Sequence, residues 1–131
     1  MENTLGTKAK VLIIEDDKFF IDLLAKRLSQ AGFSVLFAND GKSGLTIIKT
    51  EKPAAVLLDV LLPETDGFEV LSQIKADEST KSIPVILLSN LGSKENLEKS
   101  QKFGAFNFMI KATVSLDQII KETNRAIATA R

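Results

Sequence analysis

The sequence predicts one α/β domain in which helices cover a parallel sheet of five strands. The first observation is an uninterrupted apolar run at 54–58 that stops at the carboxylate of Asp59, because a short apolar run bounded by breakers is typical of a strand buried on both faces. The second is that runs of this kind alternate with segments of helical periodicity along the whole chain. The 131 residues are enough for one domain and few for two.

The first half of the chain gives three strands and two helices. A β-branched run predicts the first strand at 9–14, and the helix that follows it is expected to stop at Gly32. The second strand is predicted at 33–38. Asp40 is a candidate N-cap of the second helix, which precedes the central strand at 54–59.

The second half repeats the alternation. We predict a third helix at 68–76, a fourth strand at 83–88 and a fourth helix capped by Ser93. The fifth strand is predicted at 105–110, and 115–118 has the pattern of a capping box at the start of the fifth helix. Each crossover is long enough to join parallel neighbours. We favour the strand order 2-1-3-4-5, which the residues alone do not establish.

The composition excludes several classes of chemistry. Lys plus Arg and Asp plus Glu both total 17, so no net charge favours nucleic acid or a membrane surface. The chain has no Cys and no His, which leaves only oxygen-liganded metals such as Mg²⁺. No apolar run approaches the ~20 residues of a membrane span. We therefore expect a cytoplasmic protein with no membrane insertion, with a flexible tail at 1–8 and one domain at 9–131.

Polar side chains follow four of the predicted strands. Glu15 and Asp16 follow the first strand, Asp59 ends the third, Ser89 follows the fourth and Lys111 the fifth. Because the carboxyl ends of parallel strands meet at one edge of the sheet, these five residues are expected to converge. Each of them alone is typical of a solvated loop, a cap or a turn, so the functional interpretation depends on the joint pattern.

The convergent set suits phosphoryl transfer to the protein itself. Repulsion between close carboxylates is offset by a divalent cation, and Asp16 and Asp59 could each give one oxygen to Mg²⁺ while Glu15 holds a metal-bound water. Asp59 is then free to act as a nucleophile toward phosphorus. Lys111 and Ser89 could contact two phosphoryl oxygens.

These residues resemble the receiver (response regulator) domain family of two-component signal transduction, as a single-domain member. The resemblance covers roughly residues 9–129, nearly the whole chain. It depends on the segments Val11–Asp17, Leu57–Gly67, Pro84–Ser89 and Gly104–Lys111. It implies a flavodoxin-like (βα)5 three-layer sandwich with the strand order 2-1-3-4-5.

The resemblance also implies roles for the acidic residues. Asp59 would be the phosphoacceptor, and the ligands of Mg²⁺ would be Asp16, Asp59 and the backbone carbonyl of Leu61, with Glu15 acting through a water. Asp59 would take its phosphoryl group from the phosphohistidine of a histidine kinase or of a phosphotransfer protein.

Three further residues would form the switch. Ser89 and Lys111 would bind the phosphoryl group, and Phe108 would move inward with Ser89. Because Phe108 lacks the hydroxyl of the commoner tyrosine, this movement must act through packing. The signal would leave through the face made by the fourth helix, fifth strand and fifth helix, toward a downstream protein partner or a second copy of the chain.

Some positions depart from the family pattern. Ala112 stands where the family usually has proline after the lysine, so a cis peptide there would cost about 2 kcal/mol more and Lys111 would be held less rigidly. Asn90 is larger than the usual residue beside the acceptor. Leu61 and Leu91, each two residues past a site residue, occupy positions that tune phosphoryl lifetime, and their apolar side chains predict a long-lived phosphoryl group.

The leading hypothesis is a stand-alone receiver domain that is no enzyme beyond its own phosphorylation and dephosphorylation and does not bind nucleic acid directly. Ala112 and Asn90 keep open a receiver-like interaction module that works without phosphorylation. A Mg²⁺-dependent phosphohydrolase is less favoured, because enzymes resembling the haloacid dehalogenase group need Asp-x-Asp after the first strand, where this chain has Glu15, Asp16 and Asp17. A nucleotide-binding domain is disfavoured because no glycine-rich loop follows the first strand.

Overall fold

Five strands of one sheet alternate with five helices, as the apolar pattern predicts. The computed structural model describes residues 8–90 and 92–130. The sheet strands are β1 (Lys10–Ile14), β2 (Ser34–Ala38), β3 (Ala55–Asp59), β4 (Val85–Ser89) and β5 (Asn107–Ile110). The helices are α1 (Lys18–Gln30), α2 (Gly41–Glu51), α3 (Gly67–Ala76), α4 (Lys94–Lys102) and α5 (Leu116–Ala130). The predicted tail at 1–8 falls mostly on residues 1–7, outside the described residues, and stays a prediction.

The sheet is entirely parallel and has the order β2-β1-β3-β4-β5. The predicted order 2-1-3-4-5 is therefore confirmed. β1 and β3 are adjacent in the sheet although β2 lies between them in sequence, so the order of the strands changes direction at this point. In open α/β sheets the crevice at such a switch point, outside the carboxyl ends of the strands, is where ligands bind.

The strands separate two apolar clusters. All residues of β3 and β4 are buried, because helices cover both faces of the sheet. One cluster contains Leu12, Leu58, Phe68 and Leu71, and the other contains Val11, Leu24, Leu57 and Ile119. Alternate residues of one strand enter opposite clusters, as the two-residue period of a strand requires. None of the helices within the described part of the chain combines the length and apolarity of a membrane span.

Side-chain caps fix where the helices begin. The carboxylate of Asp40 accepts from the Ser43 N–H at 2.8 Å, and the hydroxyl of Ser93 accepts from the Asn96 N–H at 3.0 Å, so both predicted caps are confirmed. The capping box before α5 is also confirmed, with both of its hydrogen bonds present between Ser115 and Gln118. A helix that begins at a fixed residue holds the loop before it, and three of these loops border the carboxyl edge of the sheet.

The structure differs from prediction at some element boundaries. β4 begins at Val85 rather than at residue 83, because Pro84 has no N–H to give and only its carbonyl enters the sheet, accepting from Val56 at 3.0 Å. Ser89 is the last residue of β4 instead of the residue after it, because it pairs in register with Ile110 of β5. A short antiparallel hairpin of Leu61–Leu62 with Thr65–Asp66 was not predicted. It lies directly after Asp59 and forms one wall of the site described next.

Candidate functional site

Three carboxylates meet where β1 and β3 end. Glu15, Asp16 and Asp59 each offer an oxygen within 4.8 Å of the others. Glu15 and Asp59 are buried, with 2% and 5% of their surface exposed, whereas Asp16 is exposed to solvent. The predicted convergence of these acids is therefore present. Hard oxygen donors at this separation, buried on one side and open on the other, fit a small divalent cation that keeps some of its waters.

Lys111 brings a positive charge to these acids. Its Nζ lies 2.5 Å from Oε1 of Glu15 and 3.6 Å from Oδ2 of Asp59, and its side chain is only 10% exposed. The backbone of Lys111 is anchored by its N–H, which donates to the Ser89 carbonyl at 2.8 Å. The ammonium is thus hydrogen-bonded to Glu15 and forms a second, longer ion pair with Asp59.

Asp59 has a perturbed acidity. Burial, helped by the nearby charge of Glu15, raises the pKa of Asp59 from 3.8 to about 7, although the ammonium of Lys111 acts to lower it. One lysine does not balance two buried carboxylates. A divalent cation bound here would favour the ionised form of Asp59, which is the form that can act as a nucleophile.

Ser89 is placed by the sheet. It is buried at the end of β4, paired in register with Ile110, the residue before Lys111. The next residue, Asn90, is exposed. Both line an open groove of about 770 Å³ that also contacts Leu61, Phe68 and Lys99. The groove is open to solvent beside the carboxyl edge of the sheet.

Leu61 lies two residues after Asp59 and close to its carboxylate. The Leu61 N–H points to Oδ1 of Asp59 at 3.4 Å, and the Leu61 side chain is 69% exposed. Leu61 therefore lies at the mouth of the site, beside the carboxylate of Asp59. Leu91 lies outside the described residues, so its predicted effect on phosphoryl lifetime has no structural account.

Gly67 closes the loop beneath Asp59. Its N–H donates to the Val60 carbonyl at 2.7 Å, and a Cβ added at this position would lie 2.3 Å from the carbonyl oxygen of Asp59. Asp66 caps α3, and the absence of a side chain at residue 67 lets its backbone approach Asp59.

Phe108 lies on β5, three residues before Lys111. It is half-buried on β5, opposite Leu87, and packs against the cluster that contains Phe68. Its predicted role as a moving switch is not tested by its position. The peptide bond between Lys111 and Ala112 is trans.

Sequence reasoning missed two residues that border the lysine. The backbone N–H of Asp17 donates to Oε2 of Glu15 at 3.0 Å, which fixes the carboxylate that Lys111 contacts. The ring of Phe20 lies over the ammonium of Lys111, with 4.6 Å between Nζ and the ring centroid. The sequence signal for this contact is the aromatic residue Phe20 in the first helical turn after an acidic loop, but its helical spacing is also that of an ordinary core position.

The chain matches known proteins over nearly its full length. Residues 11–124 match the model of the response regulator receiver domain. A probable transcriptional regulator ycf27 of Guillardia theta is 31% identical over 128 residues, covering 93% of this chain and 49% of that protein. The DNA-binding dual master transcriptional regulator RpaA of Synechocystis sp. is 35% identical over 102 residues, covering 78% of this chain and 42% of that protein.

Solved structures agree with this likeness. The receiver domain of Francisella response regulator 1452 superposes with a TM-score of 0.86 at 28% identity, covering 94% of this chain and 99% of that one. The chain spans about half the length of the curated relatives it matches, and the two relatives named above are transcriptional regulators. The shared part is the part that carries the acidic edge.

Proposed function

We propose, from the premise that this chain belongs to the family of response regulator receiver domains, that it is a Mg²⁺-dependent switch phosphorylated on Asp59. The observation that carries the proposal is the convergence of three carboxylates and Lys111 at the edge where β1, β3 and β5 end. No single one of these residues would support it, since acids and lysines are common at strand ends.

The residues fit a Mg²⁺ site of the expected kind. Asp16, Asp59 and the backbone carbonyl of Leu61 would hold the ion, and Glu15 would hold one of its waters. When bound, Mg²⁺ supplies positive charge that neutralises the acids and the phosphoryl oxygens. Asp16 is the exposed acid of the three, so it can exchange solvent for the ion without opening the core.

The phosphoryl group would then be transferred to Asp59. One Oδ of Asp59 attacks the phosphorus of a phosphohistidine on a histidine kinase or phosphotransfer protein. The new P–O bond forms as the P–N bond breaks, and the imidazole of the donor leaves with the electron pair and takes up a proton. Lys111 and the hydroxyl of Ser89 would each contact a phosphoryl oxygen and stabilise the charge that develops there.

Movement of Lys111 would connect the chemistry to the fold. A phosphoryl group on Asp59 competes with Glu15 for the ammonium, which is 3.6 Å from Asp59 before transfer. Because Lys111 directly follows β5 and Phe108 lies on that strand three residues earlier, a shift of the strand would change the surface made by α4, β5 and α5. We expect a downstream protein, or a second copy of the chain, to read that surface.

The wider context of the domain stays a prediction. The relatives named above are transcriptional regulators of about twice the matched length, one of them described as DNA-binding. We propose that this domain itself acts through protein contacts and not through nucleic acid, consistent with its zero net charge. We also propose that it acts as a stand-alone protein in the cytoplasm.

Intact mass tests the proposal directly. The chain is incubated with Mg²⁺ and acetyl phosphate, beside Asp59→Asn and the control Asp22→Asn, which changes an exposed acid on α1. We expect one phosphoryl group on the unmodified chain and on the control, none on Asp59→Asn, and none when EDTA replaces Mg²⁺.

Two other outcomes would redirect the interpretation. If neither acetyl phosphate nor a phosphorylated kinase transfers a phosphoryl group, the chain is an interaction module that does not use phosphorylation. If the chain releases more than one equivalent of phosphate per molecule from small phosphate esters, with repeated turnover, it is a phosphohydrolase.

A further inference from the structure

We propose that Phe20 is a positioning residue that holds the ammonium of Lys111 at the phosphoryl site through the face of its aromatic ring. The inference depends on the proposed function, because it concerns how the lysine of that site is placed. The sequence hypothesis assigned Lys111 to the site but gave no residue that would hold it there.

The geometry is that of a cation–π contact. Nζ of Lys111 lies 4.6 Å from the centroid of the Phe20 ring, within the ~6 Å over which such contacts are significant. The lysine side chain is only 10% exposed, so its charge has lost most of its water. A cation–π contact is stronger for a desolvated cation than for an exposed one.

The start of α1 fixes the ring in place. The carboxylate of Asp17 caps the helix and accepts from the backbone N–H of Phe19 at 3.0 Å and of Phe20 at 3.2 Å. The N–H of Asp17 in turn donates to Oε2 of Glu15, whose other oxygen binds Lys111. Glu15 therefore contacts both Asp17, the residue that caps the helix carrying the ring, and the ammonium of Lys111.

Lys111 needs such a contact because its backbone does not place its charge. The N–H of Lys111 is fixed to Ser89, but the exposed Ala112 and Thr113 that follow have no ring to restrict the chain. Four methylene groups then separate the backbone from the ammonium, and only contacts at the tip can select its position. Glu15, Asp59 and Phe20 are those contacts within the described residues.

The ring and the carboxylates would interact with the ammonium of Lys111 in different ways. A hydrogen bond to Glu15 is directional and must lengthen when the ammonium turns to a phosphoryl oxygen on Asp59. The face of a ring attracts a cation over a broad area, so Phe20 can keep its contact during this turn. Phe20 would thus guide the lysine in both positions.

The test separates the ring's charge distribution from its bulk. Phe20→Leu keeps an apolar side chain but has no π face, whereas Phe20→Tyr and Phe20→Trp keep one. Phe19→Leu is the matched control, since Phe19 is the preceding residue of the same helix turn and is 72% exposed. The rate of phosphorylation by acetyl phosphate with Mg²⁺ is followed by intact mass as a function of acetyl phosphate concentration.

We expect Phe20→Leu to slow the phosphorylation step at saturating donor by about threefold to tenfold, the range of a partly buried cation–π contact. Phe20→Tyr and Phe20→Trp should stay near the unmodified rate, and so should Phe19→Leu. A Leu variant as fast as the unmodified chain, or aromatic variants as slow as the Leu variant, would overturn the inference, because packing alone would then explain the contact.

A second measurement does not depend on activity. In the unmodified chain the ring current of Phe20 should shift the side-chain proton resonances of Lys111 upfield, and this shift should vanish in Phe20→Leu and persist in Phe20→Tyr. Absence of the upfield shift in the unmodified chain would contradict the contact itself. If the shift is present but the unmodified chain takes up no phosphoryl group from any donor, the proposed function fails instead, and the positioning role fails with it.

Discussion

The ammonium of Lys111 is hydrogen-bonded to Glu15, and its ion pair with the neighbouring Asp59 is longer. Its Nζ is 2.5 Å from Glu15 Oε1 and 3.6 Å from Asp59 Oδ2. The acid expected to hold a metal-bound water is thus also the acid that holds the lysine. Glu15 therefore belongs both to the cluster of acids that fits a divalent cation and to the ion pair with Lys111.

The stability of the chain should depend on pH through Asp59. Burial and the charge of Glu15 raise the pKa of Asp59 from 3.8 to about 7, so the unfolded chain loses this proton near pH 4 and the folded chain only near pH 7. Stability therefore falls as pH rises across that window. In EDTA, Asp59→Asn should unfold with a free energy about 2–4 kcal/mol higher than the unmodified chain at pH 8, and with little difference at pH 4.

Urea denaturation at several pH values measures this difference. Mg²⁺ should reduce it at pH 8, since an ion that binds the folded chain stabilises the ionised Asp59. A gap between the two proteins that is the same at pH 4 and pH 8 would contradict the raised pKa.

Removing the lysine should destabilise the fold. Lys111→Met keeps most of the apolar stem but leaves the buried carboxylate of Glu15 without its cation, which we expect to cost about 3 kcal/mol of unfolding free energy at pH 7. Lys121→Met, on the exposed side of α5, serves as the control and should change stability by less than about half a kcal/mol. If both substitutions cost equally little, the buried ion pair does not contribute to stability.

Adding a methyl group at Gly67 should disturb the backbone of the acceptor. The Cβ of Gly67→Ala would lie 2.3 Å from the Asp59 carbonyl oxygen, and a backbone atom cannot turn aside, so we expect a cost of about 3 kcal/mol and slower phosphorylation. In Gly44→Ala the new Cβ would lie 2.4 Å from Cδ1 of Ile14, a side-chain atom that can shift more readily than a backbone carbonyl, and a gain in helix propensity offsets part of the cost. Thermal or urea unfolding of both variants should show a much larger loss for residue 67.

Leu61 should prolong the life of the phosphoryl group. Its apolar side chain stands 69% exposed at the mouth of the site and offers no hydrogen bond to an attacking water. Leu61→Asn should speed decay by about tenfold, because an amide can orient that water. Intact mass followed over time after removal of acetyl phosphate measures the decay, and loss from the unmodified chain within seconds would contradict the prediction.

Much of the fold follows from local sequence signals. The apolar runs that end at Asp59 and before Glu15 predict buried strands, and the caps at Asp40 and Ser93 predict helix starts, because both signals depend on neighbouring residues. The parallel sheet then brings the strand ends together by geometry alone. For this reason the acidic edge could be predicted without coordinates.

Other features depend on distances between segments far apart in the chain. The start of β4 was misplaced by two residues because the lost hydrogen bond of Pro84 matters only once its partner strand is known. The hairpin after Asp59 and the close approach of Gly67 result from the same packing of a loop against a strand end.

The fold class, and the acids and the lysine that converge, follow from local apolar patterns and from the geometry of a parallel sheet, and the family resemblance added the strand order. The way in which the lysine is held became visible only in the folded chain. Glu15 and Phe20 lie more than 90 residues from Lys111 in sequence, and the ammonium is about one ångström closer to Glu15 than to Asp59. Local patterns bring the charged residues to the same edge of a sheet. Which carboxylate and which ring the ammonium of Lys111 contacts depends on distance and burial, and these exist only in the folded chain.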